Sequence, residues 1–301
     1  MQTKKIKNLF WVLAFSCVSS ASHSSEGGVG TWAIGVNTVL NGLYSEPGQQ
    51  RFYNYTQYYT SSKTLDNEGR QRFKDFDLET FVNSFRFDRG WAKLGNYALS
   101  SGITIPLVYN SVDARGHSDT ITRQGNIILK TLILGAKSSD GTFIYNIAPL
   151  DFNLPTGSYD SDQLANAGVN YYTWQPNFNY SWFPRKDIEV SGTASATFST
   201  ENKDTNYQSG NVFQYEQMIG YNINQKVQIG LQGYYLQQFT DDDSEVATLP
   251  GGNRGRALAL GPQLRYSYAP GSAIAVKYQK EFSVKNRAEG DRIWVQFSFP
   301  F

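Results

Sequence analysis

Few side chains in this chain of 301 residues could do covalent or acid–base chemistry: it has two histidines and one cysteine. Cys17 lies in an apolar run near the start, so no disulfide or thiolate chemistry is available beyond it. His117-Ser118-Asp119 sets the three residue types of a hydrolytic triad side by side. Sequence neighbours cannot take up the relay in which the base stands between nucleophile and acid. Asp241-Asp242-Asp243 with Glu245 offers carboxylates to Ca²⁺ but lacks the spacing of an EF-hand loop. No catalytic residue, metal site or cofactor is therefore expected.

What remains is recognition chemistry. Glu216, Tyr234, Gln238, Arg265, Lys277, Glu281, Arg292 and Trp294 recur at alternate positions of the C-terminal half, together with Gln232, Gln263, Gln279 and Gln296. Asp75, Asp77 and Glu79 share one parity near the start of another segment, with Phe81, Asn83 and Phe85. One by one, such charges are most simply a structural network, because buried charges must be paired. As a set, paired charges among aromatic rings suit a narrow path that holds an apolar ring and orients it.

These side chains need elements that show every second residue to one face, and the chain supplies them. Ile188, Val190, Ala194, Ala196 and Phe198 alternate with Glu189, Ser191, Thr193, Ser195 and Thr197. Similar alternation over residues 213–223, 257–268 and 274–284 brings the count to about twelve segments from Gln50 onward. Runs of 10 to 15 residues are long for a soluble domain and suit tilted strands crossing a bilayer. Short connections at 138–141, 184–187, 224–225 and 269–272 alternate with longer polar ones at 63–72, 110–122, 155–167, 200–207 and 241–253. That rhythm predicts an all-β, antiparallel up-and-down barrel with short turns at one end and long loops at the other. It weighs against a soluble β-sandwich. Residues 88–96 are long for a turn and 286–291 short for a loop, so the strand number could differ by two. If the apolar parity faces lipid, the charged set faces the lumen, and closure is expected to bring the acidic row at 75–79 toward Arg265, Lys277 and Arg292.

The start of the chain reads as an export signal over residues 1–21. Lys4, Lys5 and Lys7 precede an apolar run of ten residues, Leu9 to Val18, broken only by Ser16, and Ser19-Ser20-Ala21 offers small residues for cleavage. Ala14-Phe15-Ser16 before Cys17 is a poor lipidation motif. Removing three lysines leaves 24 basic against 26 acidic residues, which gives no reason to expect a nucleic-acid partner. An exported chain with 20 Tyr, 19 Phe and 6 Trp needs a place for its rings, and aromatic girdles at a bilayer provide one. Residues 22–48 precede the barrel, assigned to 49–301. Val36 to Tyr44 can form a short amphipathic helix, and the segment is read as a lumen plug or a periplasmic tail.

The last residues, Asp291 to Phe301, alternate Ile293, Val295, Phe297, Phe299 and Phe301. This resembles the closing strand of bacterial outer-membrane barrels, in which the terminal aromatics, here Phe297, Phe299 and Phe301, act as the signal read by the barrel-insertion machinery. Leu154-Pro-Thr-Gly-Ser-Tyr-Asp160, Asn170-Tyr-Tyr-Thr-Trp-Gln-Pro176, Gly233-Tyr-Tyr-Leu-Gln-Gln-Phe239, Gly261-Pro-Gln-Leu-Arg-Tyr266 and Lys277-Tyr-Gln-Lys-Glu-Phe282 occur in order. With them the chain resembles the meta-pathway phenol-degradation family of SphA-like outer-membrane transporters. The resemblance implies a Gram-negative outer-membrane barrel that admits small aromatic or hydrophobic compounds, and it supplies no catalytic residues. "Phenol degradation" names a pathway, not a reaction.

The residues themselves add detail. Tyr172, Trp174, Phe178, Tyr180 and Trp182 form an outward aromatic row, and Pro176 within it predicts a bulge or a break through which a lateral exit could open. Three functions follow: passive, weakly selective uptake of small aromatic or hydrophobic molecules; a sealed structural or adhesive barrel acting through its loops; or a fatty-acid channel. The last would need a deep apolar tunnel, which the Gln-rich inward parity does not favour.

Overall fold

The computed structural model describes residues 31–245 and 249–301. Residues 1–30, which hold the predicted export signal and Cys17, lie outside the described part. Seventeen strands follow in order: β1 (Gln50–Ser61), β2 (Phe76–Leu94), β3 (Tyr97–Ala114), β4 (His117–Gln124), β5 (Ile128–Lys137), β6 (Phe143–Ala148), β7 (Asp151–Asn153), β8 (Thr173–Trp174), β9 (Asn177–Arg185), β10 (Ile188–Ser199), β11 (Tyr207–Gln208), β12 (Val212–Asn222), β13 (Val227–Gln238), β14 (Asp243–Ser244), β15 (Arg256–Ala269), β16 (Ser272–Lys285) and β17 (Asp291–Pro300). β11 and β14 form a separate two-stranded sheet, and Tyr207 of β11 also bridges Asn202. The rest form one antiparallel sheet that closes on itself where β1 meets β17, from Arg51 opposite Pro300 to Thr60 opposite Asp291.

The wall counts twelve strands because three of them are split. β3 pairs with β4 in its upper part and with β5 in its lower part. β5 pairs with both β6 and β7, and β10 with both β8 and β9. Two splits fall at Pro149 and Pro176, which have no N–H to give the ladder. The freed groups are used locally: Thr131 N–H donates to Leu150 O, Gln175 N–H to Asp151 O, and Ala196 N–H to Pro176 O. The third split, at residues 125–127, leaves β4 paired with β3 alone, and the loop after β7 covers its other edge. Gly157 in that loop does not need positive φ. A Cβ there would stand 2.6 Å from Asn126 Oδ1, the atom that accepts its N–H.

Ile219, Leu231, Leu260, Leu264, Ile293 and, from the aromatic row, Tyr172, Trp174, Phe178 and Trp182 are exposed outward, with Tyr180 half-buried. A band of this kind belongs against lipid, with polar residues alternating inward. Two connections differ from the sequence-based expectation. Residues 110–122 are not a loop: β3 and β4 continue to a two-residue turn, Arg115 (φ 54) and Gly116 (φ 79). Residues 88–96 are mostly strand, because β2 runs on to Leu94 past a bulge near Gly90. At Ser283 (φ 56) β16 changes parity, so Val284 turns inward and is buried where simple alternation put it outward.

Candidate functional site

The lumen divides into a packed side and an open side. The packed side is built by the inward residues of β10, β12, β13 and β15 to β17. Arg265 meets Glu189 at 2.6 Å, and Gln228 donates to the same Glu189 oxygen. Arg292 lies 3.6 Å from Glu281 and donates to Tyr234 OH, while Tyr59 and Tyr234 hydroxyls both donate to Glu281. These groups are nearly inaccessible and most of their polar atoms are paired within the set, the condition under which buried charge is tolerated, although Arg265 Nε, Arg292 Nε and Gln228 Oε1 have no hydrogen-bond partner among the described residues.

Residues 31–44 run through the lumen against this side. No helix forms over 36–44: Gly35 (φ 81) and Leu40 (φ 46) break it, and the backbone finds its partners on the barrel wall. Lys277 Nζ donates to Gly35 O (2.7 Å), Val36 O (2.9 Å) and Thr38 Oγ1 (3.0 Å). Asn37 N–H donates to Glu216, Leu40 N–H to Glu189 and Gly42 N–H to Ser181. Gln296 donates to Val36 O, and Asn146 to Asn41 O and Leu43 O. Ile34 packs with Tyr234, Leu236 and Val284.

Between this segment and the wall that runs from parts of β16 and β17 round through β1 to β9 lies a cavity of about 1530 Å³. At the loop end its lining includes Phe73, Phe76, Val112, Arg115 and Arg287, and at the turn end Lys226, Gly271, Ser272 and Ser298. It therefore extends along the barrel past Val36, Val39 and Leu40. Its middle is aromatic. Tyr53 and Tyr55 stack 5.9 Å apart, and the Arg86 guanidinium lies over Tyr53 at 4.7 Å. Arg86 is held flat by a two-point contact with Asp88.

Over the packed side the loops form a cap. Asp242 accepts from Gly210 N–H, Gln238, Asn253 and the Tyr207 hydroxyl, beside the β11–β14 pair. Burial raises the pKa of Asp242 above the usual carboxylate range against these donors, and burial also raises that of Tyr207. Arg72 ties the cap to Asn253 and Asn286. In the exposed loop beside it, the Asp66 pKa is lowered, first by the Arg70 backbone N–H.

The sequence-derived residues fall into three groups. Arg292 and Trp294 line the cavity. Glu216, Tyr234, Gln238, Arg265, Lys277 and Glu281 do point inward but are buried in the packed side and form no part of the cavity lining. Asp75, Asp77 and Glu79 do not line the lumen. On β2 the cavity takes Leu78, Thr80, Val82, Ser84 and Arg86, while Phe81 and Phe87 on the parity of Asp77 and Glu79 are exposed outward. A 19-residue strand overhangs the apolar band, so acids at its loop end can face outward into water. Their expected approach to Arg265, Lys277 and Arg292 does not occur: Arg265 pairs with Glu189, Arg292 with Glu281, and Lys277 holds the lumen segment. Tyr53, Tyr55, Arg86 and Lys130 were missed. The signal for Arg86 was a single charge between Phe85 and Phe87.

The family model described as "Putative MetA-pathway of phenol degradation" matches residues 61–297, and the chain belongs to that family. No curated protein matches the sequence. Among solved structures, the COG4313 outer membrane channel from Pseudomonas putida F1 superposes with a TM-score of 0.77 at 15% identity, over 87% of this chain and 98% of that one. The β domain of the Bordetella autotransporter Brka superposes with a TM-score of 0.52 at 10% identity, over 84% and 99%. The fold is thus a closed twelve-stranded barrel of the outer-membrane type.

Proposed function

We propose that this member of the phenol-degradation family is a passive outer-membrane channel for small aromatic or hydrophobic compounds. The observation that carries the reading is the cavity, which reaches from loop residues to turn residues along one side of the lumen segment. Its stacked Tyr53 and Tyr55 and the arginine over Tyr53 offer flat, weakly binding surfaces to a ring. Residues 31–44 act as a fixed plug that narrows the bore, so that polar solutes gain little from the lumen. The plug is held by side chains rather than by a hinge, and transport runs downhill. The reading assigns no catalysis to His117, Ser118 and Asp119, sequence neighbours at the loop end whose Asp119 accepts from the Thr120 and Ala165 N–H groups. Phe297 and Phe299, packed around Phe52, serve with Phe301 as the assembly signal. The splits at Pro149 and Pro176 give a hydrophobic solute a second way out through the wall.

The test is entry of labelled phenol at low concentration into proteoliposomes containing the purified barrel, against empty liposomes and against an unrelated closed barrel. Faster entry with this barrel supports the channel. Equal entry in all three overturns it and favours a sealed barrel that acts through its loops.

A further inference from the structure

The loop end of the cavity carries charge that the rest of the molecule does not neutralise. Arg115 and Arg287 both line it, and neither forms an ion pair among the described residues. Arg287 Nε is buried and has no hydrogen-bond partner there. The backbone of Arg287 is fixed by its carbonyl, which accepts from Leu65 N–H, and its neighbour Ala288 packs on the cluster of Phe76, Val112 and Ala165. The Arg115 guanidinium lies 4.7 Å from the ring centre of Phe73, which packs on the same cluster. Two guanidinium groups thus border one apolar floor.

Two carboxylates line this end as well, and neither forms an ion pair with Arg115 or Arg287 among the described residues. Asp119 spends its two oxygens on the backbone N–H groups of Thr120 and Ala165, and Asp162 is an exposed residue at the rim. His117 lines the same end. Deeper in, the three ion pairs at the cavity are turned one way. Arg86, Lys130 and Arg292 line it, whereas their partners Asp88, Asp151 and Glu281 stand behind, at 6%, 0% and 3% exposure. With Lys226 at the turn end, the lining carries six cations and two carboxylates. Low-dielectric walls focus such a field along the path, and basic side chains lining a pore favour anions.

We infer that the cavity is built for organic anions, compounds with an apolar ring or short chain and one acid group, and that Arg115 and Arg287 form their capture site at the loop end. The inference rests on the channel reading and narrows its substrate class. The apolar body lies on Phe73, Phe76 and Val112, and the acid group takes the hydrogen bonds that Arg287 lacks. Arginine suits this role because its planar fork matches a carboxylate. Arg115 also occupies a turn position with φ 54, where Asn, Asp or Gly is favoured. Arg115→Asn therefore removes the charge and relaxes the turn.

The experiment is a ligand-observed NMR titration of the purified full barrel in detergent with benzoate, benzyl alcohol and benzylammonium. The native protein is compared with the double variant Arg115→Asn/Arg287→Gln, whose fold is checked by the mobility shift of unheated samples on gels. Benzoate is expected to bind tightest and benzylammonium weakest. The double variant should weaken benzoate by about tenfold, the loss expected for charge-assisted hydrogen bonds, and leave benzyl alcohol unchanged. Equal binding of the three, or benzoate binding untouched in the double variant, overturns the anion assignment and leaves the channel standing. Binding of none of the three overturns both.

Discussion

Arg265 and Arg86 are both inward arginines beside a carboxylate, and they do different work. Arg265 meets Glu189 across the sheet at 2.6 Å, with Gln228 and residue 40 of the lumen segment on the same carboxylate. Nothing is left for a solute to touch. Arg86 meets Asp88 along its own strand and turns its face to Tyr53, with Ser84 and Thr104 leaving room beside it. One side of the barrel uses charge to fasten the plug and the other uses it to line a passage. On the packed side Gln, Glu, Lys and Tyr side chains interlock with the plug, while Val82, Ser84, Thr104 and Pro106 leave space beside Tyr53 and Tyr55 on the open side. The three split strands border the open side, where Asn126, Asn153, Asp151, Asn177 and Asn179 carry their own polar network.

The largest test of this contrast is removal of one carboxylate on each side. Glu189→Ala strands Arg265 and should destabilise the barrel by about 3–5 kcal/mol. Asp88→Ala takes the buried partner from Arg86 but leaves that guanidinium facing the cavity, and should cost less, about 1–3 kcal/mol. Urea unfolding in lipid vesicles, followed by tryptophan fluorescence, reads both, and similar losses would erase the distinction between the sides. Next in size is Gly157→Val, whose side chain would collide with Asn126. A loss of about 1–3 kcal/mol by the same assay is expected for overpacking at the wall split. Lys277→Met removes three hydrogen bonds to the plug. Single-channel conductance should rise as the segment loosens, and an unchanged value would mean that the segment does not limit the bore.

The smallest effect concerns pH at the loop cap. With its folded pKa raised by burial, Asp242 contributes stability that is complete below the ordinary carboxylate value of 3.8 and is lost as pH rises through the raised value. Amide exchange in the cap loops at residues 207–210 and 249–253, corrected for intrinsic rates, should be slower near the acid end of that window. Slower exchange at neutral pH would reverse the sign.

Much of the barrel was legible because β10, β12, β13, β15, β16 and β17 alternate between largely polar or small inward residues and largely apolar outward ones. The inward set of the packed side followed from that alternation, although its role as a clamp did not. A clamp depends on what fills the lumen, and the apolar pattern of residues 36–44 suggested a helix, whereas wall side chains such as Lys277, Gln296 and Asn146 take up the backbone. The open side was harder to read for a related reason. A cavity wall can be apolar, so Leu78 and Val82 inside and Phe81 and Phe87 outside leave β2 without a polar face. The acids at its loop end then suggested the wrong parity. β1 carries Phe52, Tyr53, Tyr55, Tyr58 and Tyr59 on both faces and gave no parity signal.

The central claim is that solute passes through the cavity beside the plug, and filling that cavity tests it most directly. Ser84→Trp sets an indole into the space beside Arg86 without touching the plug's hydrogen bonds on the packed side. Uptake of labelled phenol by proteoliposomes of this variant, folded as judged by gel mobility, should fall to that of empty liposomes. Uptake equal to that of the native barrel would contradict the account and place the route elsewhere.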